Sequence, residues 1–164
     1  MRVPLVDRLA QIQPGDPVVL EMSSFQLELF DSAYTRTPLD GLGPSIACIT
    51  NITPNHLDRH ASMAEYVGAK LNLIRTMPAG STLVLNRDDA STAGLLSDEL
   101  ADQHNKTLSK WRITDELAEI RRLIAENEII AVPYSLQEKT SRGAYLDGDT
   151  LMLNGDAICT HADL

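Results

Sequence analysis

The sequence predicts an α/β fold: a partial parallel sheet flanked by helices, followed by a small C-terminal antiparallel β meander. Three observations predict it. Short apolar runs at 17–20, 45–50 and 81–85 are bounded by Gly or Pro, which marks them as strands. A stretch of helical period joins the second run to the third, the strand–helix–strand order of a parallel unit. Near the C-terminus, Asp147-Gly148 and Asn154-Gly155 separate three short apolar runs, as tight hairpins do.

In chain order, Pro17-Val18-Val19-Leu20-Glu21 follows Pro14-Gly15 and is predicted as a buried strand. Residues 24–31, carrying Phe25, Leu27, Leu29 and Phe30, form a short helix or turn. Residues 45–52 lie between Gly43-Pro44 and Thr53-Pro54 and do not alternate, which predicts a parallel strand covered on both faces. Ser62-Met63-Ala64-Glu65 has capping-box spacing, and the helix that follows should stop before Pro78-Ala79-Gly80. Residues 81–86 are the next strand. Residues 91–128 are charged and helical in pattern, with Leu117, Ile120, Leu123 and Ile124 on one face. Residues 128–134 supply a further strand that opens the hairpin region of 129–164, which closes the chain.

Composition narrows the function classes. The 164 residues suit one domain, or part of a larger one, and can bury a sizeable core. Lys and Arg number 14 against 23 Asp and Glu, a formal charge of −9. With no dense basic cluster, nucleic acid and anionic membranes are poor partners. No apolar run approaches the ~20 residues of a membrane span, and the N-terminus lacks a signal-peptide pattern. Cys48 and Cys159 have no framework spacing, so a cytoplasmic location is expected.

Ligands of parallel α/β sheets bind beyond the carboxyl ends of strands. Three polar stretches fall there: Glu21 with Ser23 and Ser24, Asn51 to His60, and Asn86 to Asp89. Glu21 is a hard oxygen ligand suited to Mg²⁺, or else an N-cap or a surface carboxylate at a strand end. His56 is a metal ligand, a general base, or a capping or loop histidine. Asp58-Arg59 reads equally as a local ion pair, and His60 and His161 as structural or exposed. Lys70 lies amid apolar helix residues. There a lysine usually snorkels to water, but a partly buried amine with a lowered pKa can react with CO₂ to give a carbamate. No G-x-x-x-x-G-K-[ST] occurs, so the chain carries no phosphate loop of its own.

Glu21-Met22-Ser23-Ser24-Phe25-Gln26-Leu27-Glu28, Asn51-Ile52-Thr53-Pro54-Asn55-His56-Leu57-Asp58-Arg59-His60 and Tyr66-Val67-Gly68-Ala69-Lys70 occur in this order. Together they resemble the central domain of the Mur ligases, specifically the branch that adds D-glutamate to UDP-N-acetylmuramoyl-L-alanine. The first stretch discriminates that branch; the second and third are shared more widely. The resemblance implies an ATP-dependent amide ligase of peptidoglycan synthesis working through an acyl phosphate. It implies Glu21 and His56 as Mg²⁺ ligands, Lys70 as a carbamylated lysine at a second metal, and Ser23, Ser24 and Asn51 on the substrate side. Asn55 stands where the family often has Asp, which removes a negative charge beside His56.

The resemblance further implies that residues 1–164 are part of the middle domain, with 91–128 as a helical insertion. The phosphate loop would lie upstream, the adenine-holding residues downstream, and the UDP-binding and C-terminal domains elsewhere. The chain alone is then expected to be inactive, and a sheet lacking a neighbouring strand is expected to self-associate through its edge. Two other readings remain at this point: a non-catalytic binding module derived from such a ligase, and a Mur ligase that adds a different amino acid.

Overall fold

A computed structural model describes residues 5–30, 42–55 and 57–163. A six-stranded mixed sheet runs in the order β1-β2-β3-β4-β5-β6, with β1 Ile46–Ile49, β2 Thr82–Asn86, β3 Ile130–Ser135, β4 Ala144–Asp147, β5 Thr150–Leu153 and β6 Asp156–Thr160. β1 to β4 are parallel, and β4, β5 and β6 are antiparallel. The meander therefore extends the parallel sheet instead of standing beside it. Helices α1 (Ser24–Glu28) and α2 (Met63–Arg75) come from the first half. Between β2 and β3 lie α3 (Ala90–Leu96), α4 (Asp98–Gln103), α5 (Asn105–Trp111) and α6 (Thr114–Glu126). No helix among the described residues is long and apolar enough to cross a membrane.

The core lies on one face of the sheet. Ala47 and Ile49 of β1 and Leu83 and Leu85 of β2 point into it, against Val67, Leu71 and Ile74 of α2 and Leu117, Ile120 and Ile124 of α6. Their neighbours on the other face, Ile46 and Cys48, are exposed. The expectation of cover on both faces is thus not met among the described residues. An unbroken apolar run can reflect two apolar faces without stating what packs on each.

The strand predicted over 17–21 does not form. Val18, Val19 and Leu20 are exposed, Val19 at 93%, and residues 16–23 hold no regular element. A strand needs a neighbour to take its N–H and C=O groups. Among the described residues, none pairs with this run, and β1 is left as the sheet edge.

Helix α1 is held by polar contacts to α2. The buried Asn72 amide donates to the Leu27 carbonyl at 3.2 Å, and Arg75 Nη1 donates to Asn72 Oδ1 at 3.0 Å. Arg75 also pairs with Glu116 of α6 at 3.1 Å, which ties α1, α2 and α6 into one network. Ser62 caps α2 by accepting from Glu65 N at 3.2 Å, while Glu65 reaches Ala61 N, one residue outside the usual box.

Both hairpin signals hold. Asn154 and Gly155 both have positive φ, 53° and 95°, as a two-residue turn between β5 and β6 requires. Gly143, with φ +89°, lies where a Cβ would drive into the Pro133 carbonyl. Gly143→Ala should therefore destabilise the chain by at least about 1–3 kcal/mol from backbone strain alone. Gly148→Asn, at φ +61° in open space, should stay within about 0.5 kcal/mol. Urea unfolding compares the two, and equal midpoints would contradict the steric account.

Candidate metal and ligation site

Parallel pairing brings the carboxyl ends of β1, β2 and β3 together. The Thr50 carbonyl, just past β1, accepts from Asn86 Nδ2 at 2.9 Å and Tyr134 Oη at 3.1 Å. Asp88 accepts from Ser135 Oγ at 2.5 Å and Leu136 N at 2.7 Å, and Asp89 caps α3 through Thr92. The Asn86–Asp89 stretch thus fastens the sheet end. Asn51 leaves this point exposed, its amide touching only the Thr50 hydroxyl at 3.4 Å.

Glu21 is exposed in the irregular segment before α1. Ser23 is the N-cap of α1. Its hydroxyl accepts from Gln26 N at 3.4 Å and its N–H donates to Gln26 Oε1 at 2.9 Å, a capping box that the S-x-x-Q spacing encodes and that the sequence reading passed over. Ser24 is buried, and its hydroxyl shares a 3.1 Å hydrogen bond with His60 Nε2. Both serine side chains are therefore engaged within the chain. His56 lies outside the described residues.

His60 is 2% exposed. Its ring stacks on Phe25, with centroids 5.4 Å apart at 12°, and meets Tyr66 at 5.4 Å and 55°. Arg59 lies over the Phe25 ring at 4.5 Å, and among the described residues no ion pair joins it to Asp58. Lys70, one turn beyond Tyr66 on α2, places Nζ 5.2 Å from the Tyr66 ring centre. Arg59, Phe25, His60, Tyr66 and Lys70 form a continuous stack. Tyr66, Phe25 and the burial of His60 were the parts that sequence reading missed. An aromatic signature with Tyr66 four residues before Lys70 was the available signal.

Lys70 lies on the buried face of α2 among Tyr66, Val67, Ala69, Leu71 and Ile74. Desolvation lowers its pKa from the ordinary lysine range. Burial also raises the Tyr66 hydroxyl, with the Asp89 charge adding to it. A half-buried amine with a lowered pKa suits carbamate formation, and Glu21 offers a free hard-oxygen donor. Among the described residues, no three His, Cys, Asp or Glu side chains converge on a metal position. Mg²⁺ does not need such a cage, because it takes one or two carboxylates and completes its shell with water and phosphate. The donor set fits Mg²⁺ on these terms.

A family model described as the Mur ligase middle domain matches residues 3–140. Curated relatives include a UDP-N-acetylmuramoylalanine–D-glutamate ligase of Clostridium kluyveri, 30% identical over 161 residues, 98% of this chain and 27% of the relative. The enzyme of the same name from Clostridium botulinum strain 657 is 32% identical over the same shares. That of Clostridium acetobutylicum is 38% identical over 99 residues, 60% of this chain and 19% of the relative. The chain thus spans 27% of the length of the first of these relatives.

The lowered Lys70 pKa makes a signed prediction. Between that value and the ordinary lysine pKa of ~10.4, the unfolded chain binds more protons than the folded one, so stability rises with pH in that window. Below it, the fold carries a desolvated cation. In CO₂-free buffer, Lys70→Met should unfold at higher urea than wild type near neutral pH, and the gap should shrink towards ~10.4. Parallel curves for the two proteins would contradict the burial of the amine.

Proposed function

The chain belongs to the Mur ligase middle domain family, and from that membership we propose that it supplies metal-holding residues to an ATP-dependent ligase. The substrate class is UDP-N-acetylmuramoyl-L-alanine, and the incoming amine is D-glutamate. The relatives that carry that activity in their names support this choice.

The observation that carries the reading is Lys70. Desolvation lowers the pKa of its amine, which favours the neutral form. That form attacks CO₂ and loses a proton, which gives a carboxylate-like carbamate ligand. Glu21 and His56 would hold Mg²⁺, and Lys70 as carbamate would support a second. Bound there, the metal would supply charge that offsets the substrate carboxylate and ATP and would align the two. The carboxylate oxygen attacks the γ-phosphorus and ADP leaves, giving an acyl phosphate. The D-glutamate amine attacks the acyl carbon, phosphate leaves, and the amine proton is lost to solvent or base. Asn51, exposed at the end of β1, would meet the substrate, and Ser23 and Ser24, engaged in the α1 cap and the His60 bond, would support the same side.

The net charge of −9 takes on meaning in this scheme. Two anions must meet on an acidic protein, so cations must bring them together. The sequence holds no phosphate-loop motif, so a loop of that kind for ATP would come from a longer polypeptide carrying this segment.

A longer polypeptide carrying this segment should form ADP, phosphate and amide in equal amounts from ATP, Mg²⁺, D-glutamate and UDP-N-acetylmuramoyl-L-alanine. Lys70→Ala should cost about 100-fold or more in kcat, as loss of electrostatic stabilisation at the transferring group does. Acetate or another short carboxylate should restore part of it. Undiminished turnover by Lys70→Ala would overturn the role of the lysine. The 164-residue chain alone should show no turnover.

A further inference from the structure

We propose that His60 is a positioning residue that fixes the Glu21 segment against the Lys70 helix, and so sets metal affinity without touching the metal. The inference rests on the proposed ligase reading and deepens it.

Glu21 lies in an irregular segment with no strand partner, so its place depends on what holds α1. Among the described residues, Asn72, His60 and Arg59 contact α1 from outside it. Asn72 holds the far end of α1 at the Leu27 carbonyl. His60 holds the near end, through the Ser24 hydroxyl at 3.1 Å and the Phe25 ring at 5.4 Å. Ser24 is three residues from Glu21, and the intervening Ser23 is locked by its capping box. The His60 ring also meets Tyr66, tilted at 55°, and Tyr66 carries the Lys70 amine over its ring at 5.2 Å. A single buried imidazole therefore touches both the segment that carries Glu21 and the helix turn that carries Lys70.

A buried imidazole is an expensive way to fill space. An apolar ring would stack on Phe25 as well and leave no polar nitrogen to satisfy. What His60 adds is direction: a hydrogen bond to Ser24 fixes the rotation and height of the first turn of α1, which stacking alone leaves free. Ser24 is in turn 3% exposed, so removing the imidazole nitrogen strands its hydroxyl without water. Direct hydrogen-bond partners of metal ligands commonly shift affinity by about 10–100-fold, and His60, acting one step further out through Ser24, belongs at the low end of that range.

The test uses the longer polypeptide that carries this segment. His60→Phe keeps the stack and loses the hydrogen bond. His60→Gln keeps a polar nitrogen near Nε2 and loses the ring. Mn²⁺ binding in the presence of ATP is read by electron paramagnetic resonance, alongside thermal melting and the Mg²⁺ dependence of turnover. Leu108→Ala, a core variant in the α5 layer, controls for loss of stability.

The expected result is a folded His60→Phe protein whose Mn²⁺ dissociation constant rises about 10-fold. His60→Gln should recover part of that loss, and Leu108→Ala should melt earlier with unchanged Mn²⁺ binding. If His60→Phe binds Mn²⁺ as wild type does, or if Leu108→Ala weakens binding equally, the positioning role is overturned while the ligase reading stands. A wild-type polypeptide that neither ligates nor binds Mn²⁺ would overturn both. If His60→Phe fails to fold, Ser24→Ala removes the same hydrogen bond from the other side and must weaken Mn²⁺ binding for the proposal to survive.

Discussion

Parallel pairing of β1, β2 and β3 is the constraint on which the other features depend. Parallel strands end on one side, so Thr50, Asn86 and Ser135 leave the sheet close together. The carbonyl of Thr50 then takes hydrogen bonds from two neighbouring strands, and Asp88 closes the turn after β3. Each such bond contributes about 1 kcal/mol net, more when a carboxylate accepts. Their joint effect is to fix where the Asn51–His60 stretch begins.

Packing on one face of that sheet explains why Lys70 is unusual. The α2 stripe must cover β1 and β2, so Tyr66, Val67, Leu71 and Ile74 are buried by necessity. Lys70 shares the stripe and is partly desolvated with them. The cost falls on the charged form of the amine, which is the form a carbamate-forming lysine must shed. The Arg75–Glu116 pair reinforces the same helix from its other side and is partly buried. The Lys139–Asp147 pair is exposed and adds little by comparison.

The sequence made the periodic parts legible. β1, β2, α2 and both hairpin turns follow from apolar spacing, caps and Asn-Gly or Asp-Gly pairs, because those signals are local. The run at 17–20 has the same local signal and forms no strand, since pairing depends on a neighbour that sequence spacing does not reveal. Cover on one face of β1 was likewise unreadable: Ile46 and Cys48 look as apolar as Ala47 and Ile49. Glu21 and Lys70 could be singled out, but their surroundings could not. Ser24 looks like a surface hydroxyl in sequence, and only the fold brings His60, 36 residues away, to bond it.

The account stands on Glu21 holding one metal ion and a carbamate on Lys70 holding the second. Crystals of the longer polypeptide grown with ATP, Mn²⁺ and bicarbonate test this directly. The account predicts anomalous density for Mn²⁺ about 2.0–2.3 Å from an oxygen of Glu21 or of a carbamate on Lys70 Nζ, with continuous density joining that carbamate to the lysine. A bare Lys70 amine, with Mn²⁺ held by other residues, would contradict it.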